Sequence, residues 1–149
     1  GRKMGAVGGV TIDPDGEHIW AVVRCYQTDW PARFGNECLD SDLDPILKFD
    51  LLSRWTQFGR PSGIFFDEND QIYVADSESD DVQNPGWEMG IRIGDARTGW
   101  VTAFVLYPWG DPRETTGNGA EFVAVDRDGN LYGGEPRPRK LQKYVRVRP

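Results

Sequence analysis

The stretch GIFFDENDQIYVAD at residues 63–76 decides the fold class. Two runs rich in β-branched and aromatic residues flank the polar residues Asp67, Asn69 and Asp70. The apolar runs suit the pleated surface of a sheet, whereas Asp and Asn tolerate positive φ and hydrogen-bond to their own backbone. The stretch therefore predicts two antiparallel strands joined by a tight turn.

The same pattern occurs twice more, as GVTIDPDGEHIWAVV at residues 9–23 and as FVAVDRDGNLYGGE at residues 122–135. A third strand is predicted after each hairpin: ILKF at 46–49, GIRI at 90–93 and LQKYV at 141–145. The partial alternation of apolar and charged residues in these strands predicts that Lys48, Arg92 and Lys143 face water. Fourth strands are predicted at residues 55–58 and 100–104.

Four antiparallel strands form one blade of a β-propeller, so we predict an all-β fold made of about three such blades. The chain is interpreted as a single partial propeller over residues 1–149, with blades at approximately 5–58, 59–107 and 117–147. Three blades are too few to close a ring. Four of the tryptophans are expected in the core between blades; they are Trp20, Trp55, Trp87 and Trp100.

The charge of the chain argues against nucleic acid and membrane as partners. Lys and Arg total 17 against 24 Asp and Glu, a formal net charge of −7 at pH 7. Such a surface repels phosphate backbones and anionic lipid. No apolar run approaches the roughly 20 residues that a membrane-spanning helix needs.

The two cysteines, Cys25 and Cys38, flank a loop-like stretch that contains turn residues at 30–31 and 35–36. They either pair in a disulfide or remain two free thiols. We favour the disulfide because the turn residues can bring the chain back on itself and this lone pair lacks the further Cys and His ligands of a zinc site. A disulfide predicts an oxidising compartment, so the protein is expected to be secreted or periplasmic.

Further segments carry a family resemblance. GRPSGIFFD at residues 59–67, continued by IYVADS at 72–77, resembles the NHL repeat pattern. SDLDPILKFD at 41–50 and the segment from Asn84 to Gly94 are similar to bacterial six-bladed propellers akin to peptidyl-hydroxyglycine alpha-amidating lyases. The segment at 41–50 resembles an early blade and the segment at 59–67 a late one. The resemblance therefore implies that the middle blades are missing.

The lyase family implies a zinc ion held by histidines and a structural calcium ion. The chain contains one histidine, His18, which lies beside a predicted turn. The Pro-His positions of the family correspond here to residues 61–62 and 120–121, and neither pair contains histidine. We therefore expect no zinc site within one chain, whereas calcium remains a candidate and the actual cofactor is unknown.

Arg24 matches the family's arginine near the mouth of the central channel, which makes it the candidate catalytic or carboxylate-binding residue. The alternative is a surface or cross-blade salt bridge. Asp76, Glu121 and Glu135 lie near comparable strand ends, and together they could bind a cation such as calcium or a polar ligand. The alternative is that they cap turns or pair with arginines.

Two functions follow from the sequence. The first is a non-catalytic NHL-like propeller module that binds a small polar ligand or a peptide, or acts as a scaffold. The second is a metal-dependent lyase of the peptidyl-hydroxyglycine amidating-lyase or streptogramin-lyase type. Because terminal blades leave apolar faces open, we also predict a homodimer that completes a ring, or failing that a monomer curled so that the first and third blades touch.

Overall fold

The computed structural model describes residues 5–24, 44–49, 52–108 and 119–147, and every regular element within these ranges is a strand. The first sheet contains β1 (Val7–Ile12), β2 (Ile19–Val23), β3 (Ile46–Lys48) and β4 (Ser53–Trp55). The second sheet contains β5 (Pro61–Phe66), β6 (Gln71–Asp76), β7 (Gly90–Asp95) and β8 (Val101–Leu106). The third sheet contains β9 (Phe122–Val125), β10 (Leu131–Glu135) and β11 (Lys140–Tyr144).

Each sheet is antiparallel and its strands pair in sequence order. The predicted all-β fold is therefore confirmed, and three consecutive antiparallel sheets of four, four and three strands are consistent with a β-propeller-like fragment. The predicted Cys25–Cys38 disulfide lies outside the described residues. In the described part of the chain, no helical segment has the length and apolar character needed to cross a bilayer.

The same turn joins the first two strands of every sheet. The first carboxylate oxygen of the turn aspartate accepts backbone N–H groups of the turn; these aspartates are Asp13, Asp67 and Asp126. Three residues further on, the backbone has positive φ, which Gly and Asp tolerate best, at Gly16, Asp70 and Gly129. The local chemistry recognised in the sequence therefore produces all three hairpins.

The second carboxylate oxygen of each turn aspartate binds an aromatic side chain of the following strand. The indole N–H of Trp20 donates to Asp13 in the first sheet. The equivalent hydroxyl groups are those of Tyr73, 2.9 Å from Asp67 Oδ2, and Tyr132, 2.9 Å from Asp126 Oδ2. Each aspartate thus ties its turn to the strand that follows.

The sheets are neighbours through their first strands, because β5 packs against both β1 and β9. Glycine permits this approach. A Cβ atom on Gly9 would lie 2.7 Å from the carbonyl oxygen of Ser62, and one on Gly63 would lie 2.6 Å from that of Glu121. Any larger side chain at either glycine would push the neighbouring first strands apart.

Two apolar clusters fill the spaces between the sheets. Between the first and second sheets, Trp20 stacks on Trp55 with ring centroids 4.3 Å apart, and both pack with Ile72. Between the second and third sheets, Tyr73 packs with Leu131. These clusters confirm the predicted core positions of Trp20 and Trp55.

Two sequence-based predictions about exposure are wrong. Arg92 does not face water but is 6% exposed, because its guanidinium group pairs with the buried carboxylate of Asp76. Trp100 does not lie in a core but is 74% exposed, immediately before the outermost strand of the second sheet. Both residues lie in the second sheet, where the alternation of residue types did not indicate which face is covered.

Candidate functional site

A cluster of charged side chains lies where the first sheet meets the second. Arg24 directly follows β2, Ser62 lies in β5, and Glu78 comes two residues after β6. Arg60 immediately precedes β5. Because β5 runs antiparallel to β6 and packs against the first sheet, the beginning of β5 and the ends of β2 and β6 come together here.

Arg24 follows the first sheet, and all three of its side-chain nitrogen atoms contact residues in or next to the second sheet. Its Nη1 atom forms an ion pair with Glu78, and Nη2 donates to Ser62 Oγ at 2.9 Å. Its Nε atom donates to the carbonyl oxygen of Pro61 at 3.3 Å. The hydroxyl groups of Ser62 and Ser77 are 2.6 Å apart and continue the network into the second sheet.

Arg60, which immediately precedes β5 of the second sheet, also contacts the carboxylate of Glu78. Its Nη2 atom lies 3.3 Å from Glu78 Oε2, and its Nη1 atom lies 3.5 Å from Asp44 Oδ2. Burial raises the pKa of Glu78, but the positive charges of Arg24 and Arg60 outweigh it, so the net pKa is below the ordinary value. Glu78 is therefore ionised at neutral pH and is held between two guanidinium groups.

The Arg24–Arg60–Glu78 cluster remains partly open to solvent. The side chain of Glu78 is 31% exposed and that of Arg24 is 18% exposed, whereas the side chain of Arg60 is 7% exposed. The cluster thus holds one partly exposed carboxylate, that of Glu78, between two guanidinium groups, the partners that pair best with a carboxylate.

Asp76 is fully buried at the end of β6, and its carboxylate is bound by other side chains of the second sheet and the segment after β6. Arg92 Nη1 donates to Asp76 Oδ2 at 2.8 Å, and Ser79 Oγ donates to the same oxygen at 2.6 Å. Burial raises the pKa of Asp76, and the charge of Arg92 opposes that rise. The arginine itself lies between the rings of Trp87 and Phe104, at 4.8 and 4.5 Å from their centroids.

Glu135 occupies the position in β10 that Asp76 occupies in β6, but no arginine pairs with it among the described residues. It is 2% exposed, and within the same ranges neither of its carboxylate oxygens has a hydrogen-bond partner. Burial raises its pKa, an effect that the charge of Lys140 opposes. Tyr144 is close enough that its pKa rises to about 12, first through burial and then through the charge of Glu135.

Glu121 precedes β9 and is half-buried; its backbone N–H donates to the carbonyl oxygen of Gly134. The three predicted carboxylates are thus placed near strand ends, as expected. However, within the described ranges no group of three or more His, Cys, Asp or Glu side chains is arranged to hold a metal ion. Calcium binding by Asp76, Glu121 and Glu135 stays a prediction.

Sequence reasoning missed three members of the site: Arg60, Glu78 and Arg92. The predicted salt-bridge alternative for Arg24 describes its present state, because Arg24 follows a strand of the first sheet and its partner Glu78 follows a strand of the second. The signal available in the sequence was the concentration of acidic and hydroxyl residues at 76–81, directly after the best-defined hairpin.

No protein-family model matches the chain, and no curated protein matches it significantly. The candidate function therefore rests on the geometry of the described residues together with the resemblance given above.

Replacing Glu135 by glutamine is expected to stabilise the protein at pH 7 by about 1–3 kcal/mol, because an unpartnered buried carboxylate is costly to ionise. Burial raises the pKa of Glu135 in the folded protein above its unfolded value of about 4.5. The wild-type protein therefore loses stability as the pH rises from the unfolded pKa to the folded pKa of this group. The advantage of E135Q should therefore vanish near pH 4. Urea unfolding at pH 4 and pH 7 measures it.

The matched control for this prediction is E121Q, the same change at the half-buried acid of the third sheet. It should leave the free energy of unfolding within about 0.5 kcal/mol of wild type. An E135Q variant that is less stable than wild type at pH 7 would contradict the account, since it would show that the Glu135 carboxylate has a partner.

Proposed function

We propose that the chain is a non-catalytic, NHL-like propeller module that binds the carboxylate group of a small polar ligand or peptide between its first and second sheets. The observation that carries the proposal is that Arg24 and Arg60 converge on one partly exposed carboxylate, that of Glu78. A planar guanidinium group offers several donors in a fixed geometry that matches a carboxylate. Two such groups on one position make a selective anion site.

The architecture supports a binding role for this position. Arg24 belongs to the first sheet, and Arg60 and Ser62 belong to the second, so a ligand held there would contact both sheets. Loops at the ends of propeller strands are where such folds commonly bind ligands. Glu78 then acts as an internal substitute for the ligand and, together with Asp44 beside Arg60, balances the charge of the two arginines when no ligand is bound.

The non-catalytic part of the proposal rests on the missing zinc-binding histidines of the lyase family that the chain resembles. The single histidine of the chain, His18, lies at the turn of the first hairpin, with Nδ1 2.8 Å from Asp15 Oδ2. It therefore lies away from the Arg24–Arg60–Glu78 cluster. Metal analysis of the purified protein tests this part directly, because zinc at about one equivalent per chain would favour the metal-dependent lyase instead.

The binding part is tested by removing the internal carboxylate. Acetate is titrated into wild-type protein, E78Q and the double variant R24Q/E78Q, with binding followed by NMR chemical shifts. E78Q should bind acetate at least about tenfold more tightly than wild type, because the ligand no longer competes with a tethered carboxylate. The double variant should lose that gain, because half of the donor set is gone.

The matched control is E68Q, the same change at an exposed acid in the second hairpin turn. It alters the net charge by the same amount as E78Q but leaves the cluster intact. If E68Q and E78Q bind acetate equally well, the gain is a general charge effect and the proposed site is wrong. The same conclusion follows if R24Q/E78Q binds as tightly as E78Q.

A further inference from the structure

The first sheet has an apolar face whose centre, around Ala21, is buried, whereas its edge at β1 and the start of β2 is open in the described chain. Trp20 of β2 packs on the second sheet, so its neighbours Ile19 and Ala21 point to the opposite face. Their direct partners in β1 are Ile12 and Val10, and these lie on that same open face. Val10 is 67% exposed, Ile12 is 66% exposed and Ile19 is 48% exposed. We call this surface the leading face.

The third sheet has a second open face, on the side away from the second sheet. Leu131 packs against the second sheet, so Tyr132 points away from it, together with its register partner Lys143. Phe122 and Leu141 lie on the same side, because both are paired with Gly134. Phe122 is 64% exposed and Leu141 is 73% exposed. We call this surface the trailing face.

Within the chain, a face equivalent to the leading face already packs on a face equivalent to the trailing face at two places, between the first and second sheets and between the second and third. Ile19 of the leading face is equivalent to Ile72 and Leu131, which pack against the preceding sheet. Tyr132 of the trailing face is equivalent to Trp20 and Tyr73, which pack against the following sheet. A leading face therefore has the position and character of a surface that packs on a trailing face.

Two lysines beside these faces also occupy equivalent positions in the first and third sheets. In the first sheet, Lys48 lies over the Trp20 ring and 2.7 Å from Asp13. In the trailing face, Lys143 lies over the Tyr132 ring in the same way, with 5.2 Å between Nζ and the ring centroid. Both lysines are thus placed beside an aromatic ring that is hydrogen-bonded to a turn aspartate.

This correspondence supplies charge complementarity between the faces. At the internal contact, Asp70 in the turn of the second sheet lines the same groove as Lys48. The equivalent turn position of the leading face is Gly16, flanked by the exposed acids Asp15 and Glu17. Asp15 is already paired with Lys48 of its own sheet, so when a leading face packs on a trailing face in the same way, Glu17 is the acid of this turn that meets Lys143.

One residue differs between the internal contacts and the open one. Gly9 and Gly63 allow the next first strand to approach closely, but the equivalent residue in the third sheet is Phe122. A contact at the trailing face must therefore be wider near β9. Gly8 and Gly9 at the approaching part of β1 carry no side chains, which leaves room for the Phe122 ring.

We propose that the occupant of each open face is a second copy of this chain, with the leading face of one copy packed on the trailing face of the other. Two copies related by a two-fold axis satisfy both contacts at once and bring together six sheets. Each contact buries Ile12 and Leu141 and places Lys143 against the acidic turn of the partner copy.

The test is the mass in solution of the wild-type chain and of two single variants, I12E and L141E, by multi-angle light scattering from about 1 to about 100 μM. Wild type should reach twice the chain mass of 16.8 kDa and grow no further. Each variant alone should remain at the mass of one chain, because every contact needs one leading and one trailing face.

Mixing the variants identifies which faces meet. I12E keeps an intact trailing face and L141E keeps an intact leading face, so an equimolar mixture should regain particles of two chains. A leading-on-leading contact would instead leave L141E dimeric, which would overturn the proposal. The matched control V82E makes the same change at a residue that is 64% exposed but lies on neither face, and it should behave as wild type.

Three further outcomes would overturn the proposal. They are a wild-type mass of one chain at every concentration, a mass that keeps growing beyond two chains, and a dimer that persists in I12E or L141E. Far-UV circular dichroism of each variant establishes that it has kept its sheets, so that a lost dimer is not mistaken for unfolding.

Discussion

Replacing Arg92 by methionine is expected to lower the free energy of unfolding by about 3–5 kcal/mol, because it leaves the carboxylate of Asp76 buried without its ionic partner. Asp76 is 0% exposed, and Arg92 supplies its only charged hydrogen bond among the described residues. Methionine retains much of the apolar contact with Trp87 and Phe104, so most of the loss arises from the charge. Urea unfolding at pH 7 measures the effect.

The pH dependence of this variant separates the charge from the packing. Without Arg92 the folded-state pKa of Asp76 rises further above its unfolded value, so the destabilisation should shrink as the pH falls and Asp76 becomes protonated. The double variant D76N/R92M should be more stable at pH 7 than R92M alone, because the buried charge is gone. A loss in R92M that is equally large at pH 4 and pH 7 would contradict this explanation.

The control for R92M is R97M, which makes the same change at an arginine whose side chain is 77% exposed and 3.4 Å from Asp95. Exposed ion pairs of this kind contribute little, so its effect should be within about 0.5 kcal/mol. Equal losses in R92M and R97M would show that the burial of Arg92 has no special role.

Replacing Trp20 by alanine is expected to cost about 3–5 kcal/mol, because it opens a cavity in the core between the first and second sheets. The ring is 1% exposed, stacks on Trp55 and lies 5.7 Å from Phe66. Its loss also removes the indole donor to the second carboxylate oxygen of Asp13, which then retains only its contact with Lys48 among the described residues. Thermal and urea unfolding, followed by circular dichroism, measure the change.

The control for W20A is W100A, at a tryptophan that is 74% exposed. Its expected cost is within about 0.5 kcal/mol. Where W20A does not fold, W20F serves instead, since it fills most of the space and loses the hydrogen bond to Asp13. A W20A variant as stable as W100A would contradict the assignment of this cluster as the core of the sheet contact.

Local chemistry made the hairpins predictable from the sequence. The turn aspartates Asp13, Asp67 and Asp126 act within a few residues of themselves, so the pattern around each one contains all the information needed. Trp20, the aromatic residue that follows the first turn, was also predicted correctly as a core position. The fold class could therefore be predicted before any contact between sheets was known.

The charged site could be predicted only in part, because its contacts join distant segments. Arg24 was identified from a family resemblance, but its partner Glu78 is 54 residues away in the chain and lies in another sheet. Arg92 was expected to face water because strand alternation indicates two faces without showing which is covered. Its burial depends on Asp76, Trp87 and Phe104, which only the packed structure brings together.

The most direct measurement of the central claim is the NMR signal of the Arg24 side-chain Nε–H group in E78Q as acetate is added. The account predicts that this signal shifts saturably while that of the exposed Arg97 does not move, because acetate replaces the missing carboxylate between Arg24 and Arg60. An Arg24 signal that stays in place, or one that moves together with that of Arg97, would contradict the proposed carboxylate site.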